Sequence, residues 1–307
     1  MRRYLITALG AGALALASTG AFAVSLDSYT LNFSAASSLL GAAIPDLNNV
    51  DEWGFVANSV VAFQDNDSSG GLSAGDTFYD WVAVRVHSFF DSSTDTITPL
   101  TYGTGPGRDH EITLIARFGG IQTTANTYQV TFIDQFDFFF DAGPGFTGST
   151  FTNLSTFADG LLVEQAELIA SGGVNTDPTL ITGTLSMILS LQDILHTQID
   201  PATGDPLGEF FEVDNDGNPF PMELLLGIVD ANNNIQSIEL ASFASYFGFT
   251  VNADGTIDYG AESFDFFFTS RNDGSFNKHI VPEPGTMILL GSGLLGLAGI
   301  ARRRHKS

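Results

Sequence analysis

Apolar and polar residues alternate with a period of two over much of the chain between residues 24 and 281, which is the repeat of a half-buried β-strand. In "YTLNF" the alternation sets Tyr29, Leu31 and Phe33 on one face. In "WVAVRV" it sets Trp81, Ala83 and Arg85 opposite Val82, Val84 and Val86. "EITLIARF", "YQVTFIDQFDFFF", "LITGTLSMILSL", "EFFEV" and "MELLLGIV" read as further strands. "SSGGLSAGD", "DAGPGFTG" and "DNDGNPF" read as turns between them. Helix signals are few: "SIELASFASYF" is the better one, and "DGLLVEQAELIAS" fits helix or strand. The expected fold is mainly β, an antiparallel β-sandwich-like body.

The string "FDFFF" occurs twice, at 136–140 and 264–268. In each copy the first, third and fifth residues are Phe and share a face, so both are expected to be core strands. Phe132 falls on that face of the first copy, with Asp134 between. An exposed aromatic platform for sugars is the other reading of these strings.

The two ends of the chain differ from the body. Residues 1–23 have a charged start at Arg2 and Arg3, an apolar stretch from Leu5 to Ala17 and an Ala21-Phe22-Ala23 cleavage site, as in a secretory signal peptide. Residues 24–270 are read as a β-rich extracytoplasmic body and 271–281, "RNDGSFNKHIV", as a linker. Residues 282–307 hold three devices in order. Pro282-Glu283-Pro284 cannot continue a helix or a sheet ladder, and so reads as exposed and extended. Residues 285–301 carry no charge and are expected to span the membrane as one helix of about 25 Å. Arg302, Arg303, Arg304 and Lys306 then form a basic stop-transfer cluster that stays on the cytoplasmic side.

This order resembles the PEP-CTERM sorting signal of Gram-negative bacteria. The resemblance implies recognition of Pro282, Glu283 and Pro284 by the membrane enzyme exosortase and cleavage near them. It implies an exported protein, anchored in the inner membrane before processing and then placed on the cell surface or in the extracellular matrix. Bearers of such tails are associated with exopolysaccharide, biofilm and flocculation, and the body faintly resembles flocculation-associated members in the order of its Phe-rich strand and "ELIASGGVN…ITGTLSM".

Charge narrows the partners. Of 11 Lys and Arg, two lie in the signal and four in the tail, and of 35 Asp and Glu only Glu283 lies in the tail. The body thus carries 34 acids against 5 bases, which excludes nucleic acid as a partner and favours cations. The absence of cysteine excludes a thiolate nucleophile and a Cys-ligated metal.

The most specific motif in the body is "DNDSSGGLSAGD", residues 65–76. It resembles the twelve-residue calcium loops of EF-hand and dockerin type. Asp65, Asp67, Ser69, Gly71 through its carbonyl, Ser73 and Asp76 stand where a loop would wrap oxygens round one Ca²⁺. Ser at the fifth position and Asp at the twelfth depart from that pattern, the flanks read as strands, and a plain hairpin turn is the competing reading. Leu72 is expected to anchor the loop to the core. "DNDGNP" at 214–219 and "NADGTID" at 252–258 are poorer copies, expected to be turns.

Catalytic motifs are sparse. His87, His110, His196 and His279 are widely spaced, and "HEITL" has no second His four residues on. The expectation is a non-catalytic surface or matrix protein associating with extracellular polysaccharide or other surface proteins. The alternatives are a secreted hydrolase of matrix polysaccharide, with a carboxylate pair, and a calcium- or sugar-binding module.

Overall fold

The structure is a computed structural model, and it describes residues 28–91, 94–99, 109–124, 127–177, 182–213, 222–232 and 235–280. The expected signal peptide at 1–23, the Pro-Glu-Pro motif, the expected membrane helix at 285–301, the basic cluster and the copy at 214–219 lie outside the described residues. Among the described residues no helix is long and apolar enough to cross a membrane.

In chain order the elements are β1 (Tyr29–Leu31), α1 (Phe33–Leu39), β2 (Leu47–Val50), β3 (Glu52–Gln64), β4 (Thr77–Asp91), β5 (Thr96–Pro99), β6 (His110–Thr124) and β7 (Thr127–Ala142). A 3₁₀ turn (Leu154–Phe157) precedes β8 (Leu161–Asp177) and β9 (Thr182–Asp193), and another (Leu195–Thr197) precedes β10 (Glu212–Val213) and β11 (Met222–Asn232). Then come α2 (Ser237–Phe247), β12 (Thr250–Val251), β13 (Ile257–Tyr259), β14 (Glu262–Phe264) and β15 (Phe266–Ile280).

The mainly β, antiparallel reading holds, but the sandwich gives way to a closed sheet. Strands β3, β4, β6, β7, β8, β9, β11 and β15 pair in that order, and β15 pairs back onto β3, which also pairs with β4. The ring has no free edge, so the edge groups that a two-sheet packing would expose are used within the sheet. Barrels of about eight strands have interiors just wide enough to be filled by side chains. Trp53, Phe55, Phe138, Phe140 and Leu189 fill this one, all buried in one core.

Residues 271–277, expected as a linker, are instead part of the closing strand. Arg271 pairs with Asn58 and the ladder runs on to Asn277 opposite Glu52. The polar letters mislead here because a fully paired strand can carry them: Ser270 and Asn272 are buried and hydrogen-bond each other.

A small sheet of β10, β1 and β2 lies with α1 at one end of the barrel. Tyr29, Leu31, Phe33 and Phe211 belong to the same core as the interior residues. Phe33 stacks on Phe140 at 5.3 Å between ring centroids, which fixes α1 over the barrel mouth. The sequence reading placed Phe33 in a strand. The strand stops at Leu31, and Asn32 caps α1 by accepting from the Ala35 N–H at 3.2 Å.

A second core lies on the outer face of β3, β4 and β6. Val60, Trp81 and Ile115 pack there beneath Leu154, Phe157 and the α2 residues Phe243 and Phe247. Both faces of β4 are therefore used: Trp81 and Ala83 lie outside under α2, and Val84 and Val86 face the interior. The helix expected from "SIELASFASYF" is α2, closed by Gly248 at φ 79°. "DGLLVEQAELIAS" contributes to strand β8, not to a helix.

Candidate functional site

The β3–β4 connection is the loop 65–76, held at the barrel end opposite α1. Its start is tied down by the Asp65 N–H, which donates to Asp265 Oδ2 at 2.8 Å. Positive φ at Ser68 (58°), Gly70 (79°) and Gly75 (102°) turns the backbone back on itself. Asp65 accepts from the N–H groups of Ser69 (3.0 Å) and Gly70 (2.7 Å). Asp67 accepts from the Ser69 N–H (2.9 Å) and the Ser73 hydroxyl (2.9 Å). Asp76, buried at 1% exposure, accepts from the N–H groups of Asn66 (3.1 Å) and Ser73 (2.6 Å).

These bonds aim the three carboxylates inward. One oxygen from each of Asp65, Asp67 and Asp76 lies within 4.8 Å of the others, and among the described residues no other group of three His, Cys, Asp or Glu side chains converges so. The Ser73 and Ser69 hydrogen bonds hold the Asp67 carboxyl below the usual carboxylate range. Three converging acids with spare lone pairs form a donor set suited to a hard cation. Ser73 lies beside the cluster through Asp67, and the Gly71 carbonyl accepts from the Ser69 hydroxyl at 2.9 Å. Leu72 is not an anchor: it is 38% exposed, and the loop is held by its polar bonds instead. The copy at 252–258 forms the β12–β13 hairpin, with Gly255 at φ 88°.

A second feature is a slot in the barrel wall, which the sequence reading missed. Against β6, strand β7 carries two extra residues. Arg117 pairs with Gln135 and Phe118 with Ile133, so Asp134 bulges; Gly119 pairs with Phe132 and Gly120 with Val130, so Thr131 bulges. The bulges turn Phe132 outward, where it is 38% exposed and packs on Tyr79 at 5.5 Å, while Phe136, Phe138 and Phe140 point inward as expected. The Gly119–Gly120 pair permits this close approach, since a Cβ on Gly120 would lie 1.8 Å from the Gln129 carbonyl oxygen. In the second "FDFFF" the face is not continuous: Phe264 lies in the outer core and Phe266 packs on the interior.

On its other side β7 parts from β8. Gln129 pairs with Gly173 and Asp137 with Gln165, and among the described residues none at 130–136 pairs with β8. β8 is itself irregular there, with register shifts against β9 around Ala170. The result is an open cleft of about 850 Å³. Gln135 and Gln165 both donate to Asp137, each at 2.7 Å, at one end of the opening. Glu167, Gln192 and Leu168 continue that lip, and Phe132 and Ile133 stand on the β7 side. Asp134 accepts from the Tyr79 hydroxyl and lies 3.7 Å from Arg117 Nε, and Arg117 donates to the Tyr259 hydroxyl at 2.6 Å. Burial first, and then the bond to Asp134, pushes the Tyr79 phenol above its usual range.

Residues 281–304 match the family description "PEP-CTERM protein-sorting motif". The chain carries a PEP-CTERM sorting signal. Within the PEP-CTERM match lie Pro282, Glu283 and Pro284 and the arginines 302, 303 and 304, and Lys306 follows just beyond it. The PEP-CTERM signal implies export, a membrane-anchored precursor and processing by exosortase. Neither curated proteins nor solved structures gave a match.

One signal could have revealed the slot. In "VTFIDQFDFFF" a strict period of two puts Asp134 between Phe132 and Phe136 on the inner face. An acid out of step with a buried Phe row marks a bulge. The parting of β7 from β8 leaves no comparable local trace.

Proposed function

We propose that this PEP-CTERM protein is a non-catalytic component of the cell surface or extracellular matrix, released from its inner-membrane anchor by exosortase, whose body associates with exopolysaccharide. The sorting motif at 281–304 carries the delivery half of this reading. The acidic body, with its open polar cleft, supports the matrix half. The 65–76 loop supplies a calcium site through Asp65, Asp67 and Asp76 with Ser69, Gly71 and Ser73 around them. The convergence of the three carboxylates supports that assignment.

Intact mass spectrometry of the protein recovered from envelope and medium tests the delivery half. A C-terminus near 282–285 is the expected result, and a chain still ending at Ser307 and confined to the membrane overturns it. Co-sedimentation with the host's own exopolysaccharide tests the matrix half; reducing-end release in the same assay would favour a hydrolase instead. Calorimetric titration of Ca²⁺ into the protein, before and after Asp65→Ala and Asp67→Ala, tests the loop. Binding heat lost in both variants supports the site, and absence of heat with no thermal stabilisation removes it.

A further inference from the structure

We propose that the cleft between β7 and β8 is a binding site for a neutral saccharide. The inference deepens the polysaccharide reading above and rests on it for the source of the ligand, but the site is argued from its own walls. At about 850 Å³ the cleft falls within the range of small-molecule sites.

Its lining selects the ligand. Gln135 and Asp137 on β7, Gln165 and Glu167 on β8 and Gln192 on β9 place amides and carboxylates around the opening. Such groups accept from and donate to neighbouring hydroxyls in pairs, and a chain of vicinal hydroxyls can meet several at once. The bonds from Gln135 and Gln165 hold the Asp137 carboxylate in one orientation while leaving it lone pairs to spare. Pre-set acceptors lower the ordering cost of binding. On the β7 side Phe132 offers a partly exposed ring to the C–H face of a pyranose.

The same walls argue against other ligands. Asp134, Asp137 and Glu167 outnumber Arg117, whose guanidinium is already engaged by Asp134 and Tyr259, so anions are repelled. A peptide strand would need an evenly alternating edge. The bulges at Thr131 and Asp134 break that alternation on β7.

The test is calorimetric titration of the full chain in detergent with cellopentaose, maltopentaose and a β-1,3-glucan pentamer. Pentagalacturonate and a peptide of the β8 sequence AELIASG serve as counter-probes. Glu167→Ala and Gln192→Ala change exposed side chains, and Ile199→Ala, an exposed site away from the cleft, is the control. Expected is binding of at least one neutral pentamer, weakened about tenfold by each cleft variant, as for loss of one hydrogen bond, and unaffected by Ile199→Ala. Binding of the peptide or of pentagalacturonate alone, or of no probe at all, overturns the site, as does neutral-sugar binding that the cleft variants leave intact. Co-sedimentation of the same variants with host exopolysaccharide separates the two claims. Cleft variants that sediment like the unaltered protein sink the cleft and spare the matrix reading. If the unaltered protein binds a pentamer but does not sediment, the cleft stands and the matrix reading fails.

Discussion

Asp137 of β7 and Gln165 of β8 form the rung at which two separated strands rejoin: they are register partners, and Gln165 Nε2 donates to Asp137 Oδ1 at 2.7 Å. The pairing at the far end, Gln129 with Gly173, continues the same register across the gap. The slot is therefore an opening within one ladder, not a join between two. Asp137→Ala removes both amide bonds at that rung. It should cost about 1–2 kcal/mol, read as a lowered urea midpoint with unchanged slope. Gln165→Ala should cost less, because the Gln135 bond remains.

Gly120→Ala should cost upwards of about 2 kcal/mol. The added Cβ meets backbone, the Gln129 carbonyl, so the β6–β7 ladder must shift to admit it. Gly71→Ala, where a Cβ meets open space, should leave the denaturation midpoint unchanged.

Acid should stabilise the body. Burial, reinforced by the Glu164 charge, pushes the Asp193 carboxyl up to about 7, and burial pushes Glu111 up to about 7 against the opposing Ser149 hydrogen bonds. Both folded values lie above the unfolded ones, so the protonated forms favour the native state. Their stabilisation is complete below about pH 4 and is lost as pH rises through about 7. Melting temperature should fall between pH 5 and 8, and Glu111→Gln together with Asp193→Asn should flatten the fall. A melting temperature that climbs over this range would contradict the assignment.

Asp80 points into the barrel between Phe78 and Val82 and borders a cavity of about 30 Å³ with Asn272. Its Oδ1 has no hydrogen-bond partner among the described residues, and burial raises its pKa well above the usual range. Asp80→Val should stabilise the body at pH 7 by about 1–3 kcal/mol, seen as a raised melting temperature. A loss of stability would mean that the carboxyl is satisfied in solution, with a buried water as the natural partner.

What could be read in advance follows the range of the forces involved. The inward row Phe136, Phe138 and Phe140, the two faces of "WVAVRV" and helix α2 are local patterns, and the structure keeps them. Ring closure is not local. It depends on β15 meeting β3 across some two hundred residues, and nothing in either strand's composition names the other. The misread stretch at 271–277 shows this directly: Asn, Asp and Gly suit a turn, and only the ladder on β3 makes them a strand. In the 65–76 loop the spacing alone brought Asp65, Asp67 and Asp76 together, whereas the cleft joins residues from four strands and is visible only in the fold.

Because β15 closes the ring and ends at Ile280, directly before the sorting motif, the last piece of the body to be made is the piece that completes it. A chain threaded through a membrane from its N-terminus cannot finish the barrel until that stave has crossed. Any product truncated before residue 266 would leave β3 and β11 each with a raw, ladder-ready flank. The closed ring therefore exists only in a chain that reaches through β15.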